Sequence, residues 1–213
     1  EDLAKLTGDP EWDYSMLTVY DRANVETEAV DAMMELGKKE PSLSGYYPKP
    51  KPVYFSDFLS KLGIEGIFSP FTMEANYNDK MTPFLIPYTI CHELAHQKGY
   101  RKEGDAGFIA FMASINSPSK VFQYSGLFHG LVFTLNALKH EVSAEEFNRI
   151  YQKLTEPVRI QLSCIKEQNQ ANAFLFTELA GKFNNLSDQR SPYPEETAAY
   201  GFEGIIFRHS KII

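Results

Sequence analysis

The chain has 213 residues, of which 43% are hydrophobic and 23% charged, and its formal net charge is −7. That length suits one domain with its own core, and the ordinary composition excludes a disordered chain or a coiled coil. An acidic chain lacks the basic footprint of nucleic-acid binding, so nucleic-acid partners are excluded too.

In chain order, residues 1–14 read as a loose linker at the head of a single domain spanning 1–213. Tyr14 to Lys38 reads as a helix, with Met16, Leu17, Tyr20, Val30, Met33 and Met34 in a rough helical stripe. Pro41 to Pro52 is rich in Pro, Gly, Ser and Tyr and reads as loop. Ser56 suits the cap of a short helix that stops at Gly63. Ile64 to Asn78 is the strand-like region, since Met73, Ala75 and Tyr77 alternate with Glu74, Asn76 and Asn78.

From Pro87 onward the pattern is helical. Pro87 suits a first helical position and Gly99 the residue past the end. Further helices are expected at about Glu103 to Ile115, after Ser117-Pro118, after the capping pair Ser143 and Glu146, and over Thr155 to Phe183. A polar break over Ser187 to Pro194 precedes a last helix, Glu195 to Phe207. The expected fold is mostly helical α+β; spacing gives the helices, and a small sheet from about 53–78 packing on the Pro87 helix ahead of a helical C-terminal half rests in part on a family resemblance.

Tyr124 to Leu138 is the most apolar stretch, but Ser125, His129, Thr134 and Asn136 interrupt it and it is too short to span a bilayer. No signal peptide opens the chain. The fragment is expected to be soluble, with membrane contact only through an anchor upstream of it. Cys91 and Cys164 form no disulfide framework, and Cys91 is expected as a small buried helix residue.

Residues 92–96 read His-Glu-Leu-Ala-His. On a helix, positions four apart share a face, so His92 and His96 can grip one tetrahedral zinc ion. Glu93 then lies near the metal without ligating it and is placed to act as general base toward water. Such a pattern arises in roughly 1% of shuffled chains of this composition, so its context decides. Pro87 before it and Gly99 after it bound one helix around it, which favours the site.

A catalytic zinc needs a third protein ligand and an open position. The metzincin layout would put that ligand at Lys102, which cannot serve. The gluzincin layout puts a carboxylate on the next helix, where Glu103 and Asp105 stand. Asp105 shares a face with Phe108, Ile109 and Met112, and a carboxylate on a buried face needs a partner; it is preferred as third ligand. Glu103 is the alternative, on a face with Ala106, Gly107 and Ala110 that allows close approach.

The oxyanion of a hydrolytic reaction wants a second electrophile besides the metal. Tyr200 and His129 are the leading candidates, ahead of His140 and His209. An extended strand beside such a site can pair with a substrate backbone, a role that falls to Met73–Asn78 and chiefly to Glu74, Ala75 and Asn76.

The run Pro70-Phe71-Thr72-Met73-Glu74-Ala75-Asn76-Tyr77-Asn78, then Pro87, then Cys91-His92-Glu93-Leu94-Ala95-His96-Gln97-Lys98-Gly99-Tyr100, resembles a bacterial domain-of-unknown-function family of membrane-anchored proteins with gluzincin-like zinc sites. The likeness runs from about Tyr54 to Leu138, with a Tyr200-Gly201 pair further on. It implies a zincin-like fold and an extracytoplasmic domain behind transmembrane helices. Where that family shows Glu-Ala-Asn-Phe, this chain has Asp105-Ala106-Gly107-Phe108, so the resemblance also implies Asp105 as third ligand, shortened by one methylene.

Two functions are therefore expected of the sequence. One is a zinc metallopeptidase acting on a peptide or protein substrate. The other, motivated by the shortened Asp105, is a catalytically inactive zincin-like domain that binds a peptide or cell-envelope ligand.

Overall fold

The computed structural model describes residues 2–9, 12–17 and 22–167. The architecture is α+β and mostly helical. Its described elements are α1 (Asp2–Thr7), α2 (Arg22–Lys39), β1 (Lys51–Pro52), α3 (Ser56–Lys61), β2 (Gly66–Ser69), β3 (Glu74–Tyr77), α4 (Ile86–Gln97), α5 (Glu103–Ile115), α6 (Lys120–Glu141) and α7 (Ala144–Tyr151). Residues 156–167 are helical as well.

Helix α4 is the centre of the molecule. Ile86, Pro87 and every residue from Thr89 to His96 are buried, and the helix packs against α2, α5, α6, β2 and β3. A helix covered on all sides is apolar on all sides, as Ile90, Cys91, Leu94 and Ala95 show. Burying a side chain such as Leu94 stabilises by about 1.5–3 kcal/mol. The polar residues His92, Glu93 and His96 on this helix are thus an exception that function has to explain.

The sheet has three strands in the order β1-β3-β2. β1 runs parallel to β3, with Lys51 opposite Asn76, and β2 runs antiparallel to it, with Phe68 opposite Ala75. Tyr77 of β3 is fully buried, and its hydroxyl donates to buried Glu26 of α2 at 2.8 Å. Lys49 pairs with the same carboxylate at 3.1 Å, which keeps that buried charge partnered. The sheet is in this way fixed to α2 and lies over α4.

A second core lies on the far side of α6, where Leu17, Phe84, Tyr124, Phe128, Leu135, Val158 and Leu162 meet. The N-terminal residues join it, contrary to the loose linker expected there. Leu3 and Leu6 of α1 pack against this core, and the Trp12 ring stacks on Tyr124 with centroids 5.2 Å apart.

Other expectations shift locally. Tyr14 to Leu17 forms a separate 3-10 turn ahead of α2. Ser56 is the first residue of α3 rather than its cap, because its hydroxyl donates to the Val53 carbonyl at 2.7 Å and accepts from the Asp79 N–H at 3.3 Å. Ser143 does cap α7, accepting from the Glu146 N–H. Within the described residues, no helix is long and apolar enough to cross a membrane. The expected break at 187–194 and helix at 195–207 lie outside the described residues.

Candidate metal centre

Helix α4 ends where Gly99 takes a positive φ of 94°. The Gly99 N–H bonds to the His96 carbonyl at 2.9 Å and the Tyr100 N–H to the Ala95 carbonyl at 3.2 Å. A left-handed residue at this position satisfies the last helical carbonyls and reverses the chain. The reversal is tight enough that α5, which begins at Glu103, lies back over the two histidines.

Three donor side chains meet there. His92 Nε2 lies 3.0 Å from Glu103 Oε2, His96 Nε2 lies 3.1 Å from Glu103 Oε1, and the two Nε2 atoms are 3.0 Å apart. His96 Nδ1 donates to the Tyr100 carbonyl at 2.7 Å. That bond fixes the ring's tautomer with Nε2 turned inward, a common arrangement behind a metal-ligating histidine. Within the described residues, His92, His96 and Glu103 form the group of three with metal-holding geometry.

A zinc ion with bonds of about 2.05 Å to a tetrahedral donor set holds its donors about 3.3 Å apart. The observed separations fall short of that by about 0.3 Å, an adjustment within the reach of side-chain rotation. Two imidazoles and a carboxylate are also a donor set that zinc accepts. The residues therefore fit the ion.

The carboxylate that joins the histidines is Glu103 and not Asp105, which is exposed. The buried face of α5 carries Ala106, Ile109, Ala110 and Ala113, while Phe108 is 64% exposed. Small residues allow α5 to approach α4 closely, and Glu103 is in line with Ala106 and Ala110 at offsets of three and seven. The larger apolar side chains drew the sequence expectation to the wrong face.

Glu93 is buried on the sheet side of the same turn, and its carboxylate accepts from the Phe68 N–H of β2. Burial pushes its carboxyl up to about 8; the charges of Glu103 and Glu65 push the same way, and His96 opposes them. For Glu103, burial acts upward, but the hydrogen bonds and charges of His92 and His96 outweigh it and hold the carboxyl at about 2. Partial burial opposes protonation of His96, yet Glu103 and Glu93 raise it on balance. Cys91, fully buried, has its thiol pushed up to about 12, which suits a packing residue and not a nucleophile.

The walls of the cleft add four residues that the motif did not reveal, Glu65, Gly66, Tyr88 and Thr89. Gly66 makes room for Glu93, because a Cβ at this position would lie 2.5 Å from Glu93 Oε1. Tyr88 donates to the Gly107 carbonyl at 3.2 Å. Thr89 and Tyr88 share faces of α4 with the two histidines, at offsets of three and four from His92, so helical spacing held that signal. Glu65 and Gly66 come from a distant segment and carried none.

The other candidates separate. His129 stacks on Tyr88 with ring centroids 3.8 Å apart and bonds through Nδ1 to the Ser125 carbonyl, behind the cleft wall rather than in it. His140 is exposed near the end of α6. Tyr200 and His209 lie outside the described residues. Glu74, Ala75 and Asn76 belong to β3, which is the central strand, so they do not offer a free edge toward a substrate.

The strand with an outer edge beside α4 is β2. The Asn78 N–H bonds to the Glu65 carbonyl at 2.8 Å, so by antiparallel alternation residues 67 and 69 bond inward to β3 while Gly66 and Phe68 turn their amides outward. The Phe68 N–H on that edge is the one that meets Glu93.

No curated protein and no solved structure matches the chain. A family match does cover residues 3–187, which includes both histidines, Glu93, Glu103 and the strands beside them. The chain belongs to the family described as "Protein of unknown function (DUF3810)".

Proposed function

We propose that the chain is a zinc-dependent metallopeptidase with a zincin-like, gluzincin-type centre, His92, His96 and Glu103 holding the metal and Glu93 serving as general base. The observation that carries this reading is the convergence of three donor side chains, with ring nitrogens and carboxylate oxygens 3.0–3.1 Å apart, two of them on a helix that is otherwise a buried apolar core and the third on α5. Two imidazoles buried away from water against a half-buried carboxylate are costly unless something binds them.

A bound zinc ion would supply Lewis acidity toward the scissile carbonyl and acidify a water molecule. Glu93 would accept a proton from the attacking water and return it to the leaving amine. Burial favours its protonated form, but a dication at the neighbouring histidines favours the carboxylate that a base requires. His96, held by the Tyr100 carbonyl, keeps its Nε2 lone pair toward the point shared with His92 and Glu103, where the metal would be held. Of the two outward amides of β2, that of Phe68 is taken by Glu93, which leaves the Gly66 amide to meet an extended peptide backbone.

The alternative of an inactive zincin-like domain rested on a shortened ligand at Asp105. A full-length glutamate at position 103 removes that motive. The resemblance to membrane-anchored, extracytoplasmic proteins supports a domain that works outside the cytoplasm behind an upstream anchor.

The test is metal analysis joined to turnover. Purified protein supplied with zinc is expected to hold one equivalent and to cleave a peptide library, and Glu93→Gln is expected to keep the metal and lose at least 100-fold in rate, a general-base contribution of usual size. Full hydrolysis by Glu93→Gln refutes the mechanism, and absence of stoichiometric zinc refutes the site.

A further inference from the structure

Gln97 stands four residues beyond Glu93, so the two side chains rise from one face of α4, a helical turn apart. Both reach the β2–β3 hairpin. Glu93 accepts from the Phe68 N–H on β2, and a Cβ at neighbouring Gly66 would lie 2.5–2.9 Å from three atoms of the Glu93 side chain. Gln97 Nε2 donates to the Met73 carbonyl at 2.6 Å. The general base and the residue one turn on thus hold the same hairpin at two points.

The hairpin turn needs the second point. Ser69 pairs with Glu74, which leaves 70–73 as the turn, and Met73 closes it with a φ of 56°. Among the described residues Met73 is the one residue other than glycine with a positive φ. A left-handed backbone crowds an L side chain, and Gly or Asn adopts it more readily. The Met73 side chain is 51% exposed, so burial does little to hold that conformation. The bonds from Thr72 to Ser69 Oγ stay within the turn and do not tie it to α4.

Stability by itself does not call for this glutamine. Its second polar atom, Oε1, is buried with no hydrogen-bond partner among the described residues, a cost that an apolar side chain of similar shape would not incur. The bond to Met73 lies at the exposed surface, where water satisfies a carbonyl nearly as well. What the glutamine supplies, and an apolar residue would not, is a fixed distance between α4 and the hairpin.

We propose that Gln97 is a positioning residue: by holding the Met73 carbonyl it fixes the β2–β3 hairpin against α4, and with it the Phe68 amide that sets the Glu93 carboxylate and the Gly66 amide that meets the substrate backbone. The assignment rests on the metallopeptidase reading of the same centre. Gln97 lies outside both the donor group and the cleft wall, so it acts through β2 and no bond is made or broken at it.

The test removes the donor and keeps the shape. Gln97→Met, alone and combined with Met73→Asn, is compared with the wild type as full chains supplied with zinc. Gln97→Met is expected to keep one equivalent of zinc and a Tm within about 2 °C of the wild type. It is expected to lose on the order of tenfold in kcat, with a smaller change in KM. Hydrogen exchange at the Phe68 amide is expected to quicken while amides of α2 and α6 keep their wild-type rates. Adding Met73→Asn, which favours the left-handed turn without the tether, is expected to restore most of both losses. Wild-type kcat or wild-type Phe68 exchange in Gln97→Met overturns the proposal. So does exchange that quickens alike through α2 and α6, the mark of a residue that merely stabilises the fold, and so does a double variant no better than Gln97→Met. Exchange needs no turnover: if the wild type cleaves no peptide, the metallopeptidase reading falls, and the Phe68 amide still decides whether Gln97 sets the hairpin.

Discussion

Gly66→Ala is the sharpest probe of the centre, because it alters neither a ligand nor the general base. A Cβ at this position would lie 2.5 Å from Glu93 Oε1, 2.8 Å from Cγ and 2.9 Å from Cδ. The middle of the Glu93 side chain is caught as well as its tip, so rotation of the carboxylate alone cannot relieve the clash. Ordinary contact begins at about 3.4 Å, and the side chain or the strand must give by about 3.4 − 2.5 = 0.9 Å. Overpacking of this size costs about 1–3 kcal/mol of stability. A base displaced by about 1 Å costs about 100-fold in rate. Gly104→Ala is the control: a Cβ there meets nothing within 4 Å, and in an α-helix the exchange stabilises by about 0.5–1 kcal/mol. The assays are thermal unfolding, zinc content and kcat/KM on a fluorogenic peptide. Gly66→Ala is expected to keep its zinc and lose rate, while Gly104→Ala keeps both. If Gly66→Ala matches the wild type in rate and stability, the contact between β2 and Glu93 does not position the base.

Glu103→Ala is expected to weaken zinc affinity by more than the 10–100-fold that loss of an outer-shell partner brings, whereas Asp105→Ala is expected to leave a chelator titration unchanged; the reverse order would restore Asp105 as ligand. The metal-free protein is expected to be most stable near pH 4.5. Below its ordinary value of 4.5, Glu103, held at about 2 when folded, is protonated more readily in the unfolded chain, so stability falls toward acid. Above 4.5, Glu93 keeps its proton up to about 8 only when folded, and His96 likewise binds its proton more tightly when folded, so stability falls again as pH rises through those values. Zinc is expected to reverse the alkaline limb, since its affinity grows as ligands lose protons; a metal-free Tm that climbs from pH 6 to 8 would contradict these assignments. Ser143→Ala is expected to remove the cap of α7 and lower stability by about 1 kcal/mol without changing zinc binding, as followed by denaturant unfolding and metal titration.

Local patterns carried the helices well. The helix expected at about Glu103 to Ile115 is found there, because its periodicity and the break that follows it are local to the segment. The two histidines and Glu93 were legible for the same reason: a spacing of four on one helix fixes their relation before any packing occurs. The 1–14 segment was misread because its apolar residues, Leu3, Leu6 and Trp12, are few and gain their meaning only from Tyr124 and its neighbours far along the chain.

Sequence alone, then, determined that one helix bears two imidazoles a turn apart with a carboxylate between them, since those relations follow from backbone geometry within a few residues. Tertiary structure decided the rest. Which acid completes the triad depended on how closely α5 settles on α4, and there a face of alanines outweighs larger apolar side chains because it permits the shorter separation. Which strand edge and which wall residues flank Glu93 depended on the β1-β3-β2 order, a choice made by contacts between segments that local spacing does not encode.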